Sequence, residues 1–375
     1  MTKLLILMAV CLPLAWLSDN QSYASLRING RRNDRIITVI LILILGFFSG
    51  LRTWGNDTVT YQQIYDLMPS LEHLFDTDKY NFAGGTGFGL LTCLLKTWGF
   101  SRQDYFMFYA FATIIPWVLF IRKHSTSMLF GFFLLFTTGL YTFSMAAVKQ
   151  CMATAFCLLS VDAALEHKWL RYLLSVALAS LFHPYALIYL TIPFLFFKPW
   201  TARTFVYSGI FIAAGFLLES LLGKVLDITD MIGASYDMGE FTGEGVNIFR
   251  VLVCFVPMIL AAYSNGTVFR NSTRKDDLMF NMAMINGLIM FVGMFGTANY
   301  FARLANYFLP AQIITIPWLL KRFPRRERNW LIAACLVGYM GFFYYEYGLL
   351  RPFDSTYSQM SFWQYLSSLF GGGAA

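Results

Sequence analysis

The stretch VILILILGFFSGLRTWGNDTVTYQQIYD, residues 39–66, passes from an unbroken apolar run straight into Arg52, Asp57, Tyr61 and Tyr65. An uncharged run from 36 to 51 falls short of the roughly 20 residues of a straight bilayer-crossing helix, which leaves a tilted or broken span. Arg52 and Asp57 stand at its mouth. They are either interfacial flanks or the lining of a polar site on one side of a membrane, and the rest of the chain has to decide.

Composition narrows the choice. The 375 residues are 57% hydrophobic and 13% charged, with a mean hydropathy of +0.56, whereas soluble domains carry about 25% charged residues. This excludes a soluble enzyme and predicts an all-α, polytopic integral membrane protein forming one transmembrane domain over 1–375. The net charge of +7 sits in short loops between apolar runs, as the positive-inside rule requires and nucleic-acid binding does not. The six cysteines are scattered through apolar segments without a CxxC pair, so neither disulfides nor a zinc site is indicated. The N-terminal MTKLLILMAVCLPLAWLSDNQSYAS resembles a signal peptide, but cleavage near Ser22 and Ala24 would leave Arg27, Arg31, Arg32 and Arg35 outside. A retained first span is the better reading.

Apolar runs predict spans at 4–17, 36–51, 105–121, 127–144, 147–164, 170–183, 185–197, 204–222, 248–263, 278–296, 304–320 and 330–346, about twelve in all. Basic clusters assign loops 18–35, 264–277 and 321–329 to the cytoplasm, with Arg122–Lys123, His167–Arg171 and Lys198–Arg203 beside them. Loops 52–84 and 223–247 then face outward. One long helix through RYLLSVALASLFHPYALIYLTIPFLFF (171–197) would turn KRFPRRER (321–328) outward, so the chain has to double back at His183-Pro184. By the same parity GTGFGLLTCLLKTWGF (85–100) is a short re-entrant or interfacial helix.

This topology collects costly residues near the outer face: Arg52, Asp57, Lys149, Gln150, His183, Arg250 and Arg303. Singly, Arg52, Lys149 and Arg250 are explained by snorkelling, and His183 by a helix end. Together, cations at one depth on the face that the charge rule leaves poor in them indicate an anionic ligand. Arg303 lies among asparagines and aromatics, Asn299 included, that suit a sugar. Asp237, Glu240 and Glu244, in the glycine-rich DMGEFTGEG, read as a gating loop or simply a solvated acidic one. No DxD-type metal motif lies on the outer face apart from the weak Asp76-x-Asp78, and no phosphate-loop or dinucleotide fingerprint occurs in context, so no cofactor is expected.

In order along the chain, GLRTWGNDTVTYQQIY, VKQCMATAFCLLSVDAALEHKWLRYLLSVALASLFHPYALI and ANYFARLANYFLPAQIITIP resemble the elements of the EpsG-like family of Wzy-type polysaccharide polymerases, over roughly residues 36–320. Lys149 departs from the family's usual Arg, keeping the charge but not the fork. The resemblance implies a multi-spanning glycosyltransferase of the bacterial cytoplasmic (inner) membrane. It would join undecaprenyl-pyrophosphate-linked repeat units into a capsule, exopolysaccharide or O-antigen at the outer face, without a metal. The bilayer, a flippase and a chain-length regulator are its implied partners, and nucleic acid is not. On that reading Arg52, Arg250 and Arg303 hold pyrophosphate with Lys149 assisting; Tyr61, Gln150 and Asn299 line the substrate site; and Asp57 or His183 is the base. An O-antigen-ligase-like transferase and a flippase of lipid-linked sugars are the alternatives. The absence of internal repeats and the gathering of ionisable residues near one face count against the flippase.

Overall fold

The computed structural model describes residues 1–21, 34–73, 85–217, 245–296 and 298–370, together with Lys224, Asp227, Ile228 and Met231. In chain order the elements are α1 (Thr2–Gln21), α2 (Arg35–Gly50), β1 (Arg52–Trp54), α3 (Thr58–Leu67), α4 (Thr86–Thr97), α5 (Arg102–His124), α6 (Met128–Thr137), α7 (Leu140–Ala146), α8 (Val148–Leu165) and α9 (Trp169–Phe182). A 3₁₀ stretch, Pro184–Leu195, leads to α10 (Ala202–Phe216), α11 (Ile248–Tyr263), α12 (Arg274–Val292), α13 (Ala298–Asn306), α14 (Leu309–Arg322) and α15 (Arg325–Tyr344). A π-helical turn, Tyr345–Leu350, then precedes α16 (Phe353–Thr356), β2 (Ser358–Gln359) and α17 (Phe362–Phe370).

Among the described residues three helices are long and apolar enough to cross a membrane: Thr2–Asn20, Arg102–His124 and Val148–Leu165. The pair α6 and α7, bent by 51°, makes a fourth if it is one span. Other expected spans fall on shorter apolar helices, among them α2, α9, α10 and α11. At the centre α8 packs against α5 and α9. Its Ala153, Ala155, Cys157, Ser160, Ala163 and Ala164 are all buried, and such small residues let helix backbones approach closely.

Two breaks in the helices shape the interior. Gly139 adopts φ +79 between α6 and α7, a conformation that costs glycine little, and Tyr347 packs over it. At His183 the backbone is extended, φ −156, because the following proline disfavours helix. Beyond it the expected span 185–197 is wound as 3₁₀, with Pro184 and Pro193 removing backbone donors. This segment doubles back along α9: the Tyr172 hydroxyl donates to the Tyr189 carbonyl at 2.5 Å.

Loops assigned to one face by charge also meet one another. Arg122 binds Asp34 at 2.6 Å, Lys123 and His124 bind Asp162 at 2.8 and 2.7 Å, and Arg322 donates to the Asn271 carbonyl at 3.0 Å. At the opposite end β1 pairs antiparallel with β2, and the N-terminal ammonium reaches Asp354 at 3.2 Å.

Candidate functional site

The turn from β1 into α3 is made by Gly55 at φ 120 and Asn56 at φ 46. These left-handed conformations suit glycine and asparagine, and they set Asp57 at the N-cap of α3. An N-cap aspartate ordinarily accepts a hydrogen bond from the first turn of its helix. Here the carboxylate makes no such bond and lines a cavity. The Asn56 amide donates to the Tyr357 hydroxyl at 3.0 Å, tying the turn to the segment that enters β2.

That cavity has a volume of about 460 Å³, within the range of small-molecule sites. Asp57, Arg250, Arg303, Glu346 and Arg351 bring charge to it, Asn56, Asn306, Tyr347 and Tyr357 bring polar groups, and Ala146, Ala147 and Ala302 keep part of its wall shallow. On α13, Ala302, Arg303 and Asn306 share the cavity side while Phe301 and Ala305 are buried. Buried side chains bond the carbonyls at and just beyond the end of α13, where intrahelical donors run out. Gln150 Nε2 donates to the Arg303 carbonyl, Asn286 Nδ2 to the Ala305 carbonyl at 2.8 Å, and the Tyr189 hydroxyl to the Tyr307 carbonyl at 2.7 Å. Arg303 therefore projects from a clamped backbone.

The charged groups differ in their commitments. Arg250 donates from Nε and Nη2 to the two oxygens of Glu346, at 2.9 and 2.6 Å, and the Glu346 side chain is 4% exposed. Among the described residues neither Arg303 nor Arg351 has a carboxylate within ion-pair distance. With the Arg250–Glu346 pair neutral, Asp57 against Arg303 and Arg351 leaves a surplus positive charge. Burial raises the Asp57 carboxyl above its ordinary range, and the Arg303 charge opposes the rise.

Arg52 and Arg250, both expected to hold pyrophosphate, are not open cations of the cavity. Arg52 does not line it. Arg52 is 1% exposed, donates from Nη1 to the Ser49 carbonyl at 2.8 Å and lies 4.4 Å over the Phe106 ring. Ser49 is in the last turn of α2, so Arg52 closes the carbonyl end of that helix. Arg250, expected as an open cation, has its fork occupied by Glu346.

The remaining candidates surround the cavity. The Tyr61 hydroxyl accepts the Lys149 amide at 3.4 Å, and the Lys149 ammonium lies 5.2 Å over Phe88. His183 Nδ1 is 3.0 Å from the Tyr307 hydroxyl, and the charges of Arg303 and Lys149 both bear on its ring. None of Arg52, Tyr61, Lys149, Gln150 and His183 is part of the cavity wall. The Asn299 side chain, Asp237, Glu240 and Glu244 lie outside the described residues. Among the described residues no group of three or more His, Cys, Asp or Glu side chains is placed to hold a metal ion.

Sequence reasoning missed Glu346 and Arg351. Glu346 was legible in principle, since an acid inside FFYYEYGLL is as costly as the cations that were noted. Arg351 had no comparable signal; it caps the π-helical turn that follows α15, its amide donating to the Glu346 carbonyl at 3.0 Å.

The sequence model of the EpsG family matches residues 35–367. No curated protein and no solved structure matches the chain.

Proposed function

Because the chain belongs to the EpsG family, whose members are glycosyltransferase-like polymerases of polysaccharide biosynthesis, we propose that it joins undecaprenyl-pyrophosphate-linked repeat units into a surface polysaccharide. The observation that carries this reading is one cavity holding a half-buried carboxylate, Asp57, together with Arg303 and Arg351, two arginines with no ion-pair partner among the described residues.

The reaction needs those two kinds of group. An acceptor sugar hydroxyl attacks the anomeric carbon of the donor chain, and its proton passes to the Asp57 carboxylate. The bond from the anomeric carbon to the pyrophosphate oxygen breaks, and its electron pair leaves with the lipid pyrophosphate. Burial makes Asp57 a stronger base than an exposed aspartate. Arg303 and Arg351 stabilise the charge growing on the leaving group through charge-assisted hydrogen bonds. Arg250 orients the site from its pair with Glu346. Gln150 acts at one remove, through the Arg303 backbone, and the charges of Arg303 and Lys149 both bear on His183. The cavity faces the cell exterior, because the basic loops gather at the opposite end of the molecule.

Polymer length on gels from cells carrying Asp57→Asn or Arg303→Ala, at matched membrane abundance, tests the reading. Each variant is expected to lose about 10²–10³-fold of polymerisation and to accumulate a single lipid-linked repeat. Long chains of normal distribution in both variants would refute it.

A further inference from the structure

A second cavity, of about 560 Å³, runs between α11 and α15 and is apolar along its length. Leu252, Val256 and Ile259 form one wall, and Ala334, Gly338 and Gly341 the other. Its outer lip is exposed, with Phe249 at 52% and Val337 at 75%, so it opens sideways where a membrane-spanning helix pair would meet lipid. From Phe249 to Leu260 it extends ~16 Å at the α-helical rise, about half the hydrocarbon core.

This groove is not isolated. A smaller cavity of about 90 Å³ shares Val253 and Phe342 with it, and Arg250, Glu346 and Tyr347 with the cationic site. The three cavities therefore lie in a row, each sharing wall residues with the next: an apolar, side-opening slot, a small space beside the Arg250–Glu346 pair, and a chamber with surplus positive charge. A ligand that reached along this row would need a long apolar tail and an anionic head.

We infer that the α11–α15 groove holds the isoprenoid tail of a pyrophosphate-linked substrate, whose head passes the Arg250–Glu346 pair into the cationic cavity. The inference rests on the polymerase reading for the identity of the head. A single methyl-branched chain suits a slot notched on one wall by two glycines; paired acyl chains need a broader cleft. A pyrophosphate diester carries two negative charges for Arg303 and Arg351, where a glycerophospholipid phosphodiester brings one.

The glycines also supply the test. A β-carbon built on Gly338 or Gly341 meets nothing within 4 Å, so a larger side chain enters the groove without a backbone clash and raises helix propensity. The full chain in nanodiscs is photolysed with geranylgeranyl pyrophosphate carrying a benzophenone on its terminal isoprene, and labelled peptides are mapped. Labelling is expected within 249–260 and 331–345. Unlabelled geranylgeranyl pyrophosphate should suppress it; added phosphatidylglycerol should not. Gly338→Phe should reduce it at least tenfold with unchanged thermal unfolding, and Gly341→Leu serves if the bulkier variant does not fold. Labelling elsewhere, equal suppression by phosphatidylglycerol, or indifference to both substitutions would overturn the inference. The assay contains no sugar. A wild-type chain that labels in the groove yet makes no polymer counts against the polymerase reading alone, whereas normal polymer from Gly338→Phe counts against the groove alone.

Discussion

At one end of the molecule Arg122 places Nε and Nη2 on Asp34 at 2.9 and 2.6 Å, and Ser18 donates to the other Asp34 oxygen at 2.8 Å. Lys123 and His124 share Asp162, and Lys275 has Asp276 at 3.7 Å. At the other end Arg303 and Arg351 face a cavity. Both ends are built from the same residue types. At the first end these cations are paired with acids, and the pairs hold loops together. The cavity has two arginines beyond its internal pair and, among the described residues, only Asp57 to oppose them. Cations alone identify neither a topology signal nor a ligand site; what marks the second end is a cavity on which charge beyond its own ion pair converges.

Two buried ion pairs, one at each end, offer the largest expected effects. Arg122→Ala takes one cation from Asp34, 0% exposed, to which Ser18 still donates, and Arg250→Ala takes the guanidinium from Glu346, 4% exposed. The Arg250 change is expected to cost about 3–5 kcal/mol and the Arg122 change less, both read as lowered thermal unfolding of purified protein. Replacing both partners with apolar residues of similar volume should restore most of the stability at either end. The ends should then part. Arg122→Met with Asp34→Leu should recover normal polymer, while Arg250→Met with Glu346→Leu should remain short-chained because that pair lines the cavity. Full polymer from the second double variant would place Arg250 in the same structural class as Arg122.

Arg52 tests the comparison from a third position, since it is a cation at the cavity end that the cavity does not use. Its Nη1 bonds the Ser49 carbonyl at the end of α2 while its plane lies on Phe106, and a lysine lacks the planar group that makes both contacts at once. Arg52→Lys is expected to lose about 1–3 kcal/mol of stability, the cost of leaving a buried hydrogen-bonding group unsatisfied. At matched abundance, the surviving protein should make polymer of normal length. Unchanged thermal unfolding with chains stalled at one repeat would instead bring Arg52 into contact with substrate.

Hydropathy located the apolar helices in part, and proline the break at His183-Pro184, because burial and backbone restriction act locally along the chain. The cost of charge in an apolar context singled out Arg250 and Arg303. It could not distinguish them from Arg52, because the deciding partner lies far away in sequence: Glu346 stands 96 residues beyond Arg250. Arg52 and Asp57 stand close together at the mouth of the apolar run, yet only Asp57 reaches the cavity. Gly55 and Asn56 turn the chain sharply between them, so residues five apart face different surroundings. Arg351 reaches the cavity from the end of the six-residue π-helical turn Tyr345–Leu350, an irregular winding that leaves no periodic signal.

Lys149 carries the smallest expected effect and draws the sharpest line between the two uses of a cation. It begins α8 beside the cavity wall formed by Ala146 and Ala147, yet its ammonium rests on Phe88. A cation–π contact at a partly exposed site contributes about 0.5–1 kcal/mol. Lys149→Met keeps the apolar stem and removes the charge, so thermal unfolding should fall only slightly. Chain length should shorten less than in Arg303→Ala, because the lost charge acts at a distance through the potential at Arg303 and His183. Lys149→Arg keeps both the charge and a surface to stack on Phe88, and should support polymer of normal length. If Lys149→Met stalled at a single repeat with unchanged unfolding, the lysine would have to leave Phe88 and reach the pyrophosphate. The open cations would then include one that rests on an aromatic ring until substrate arrives.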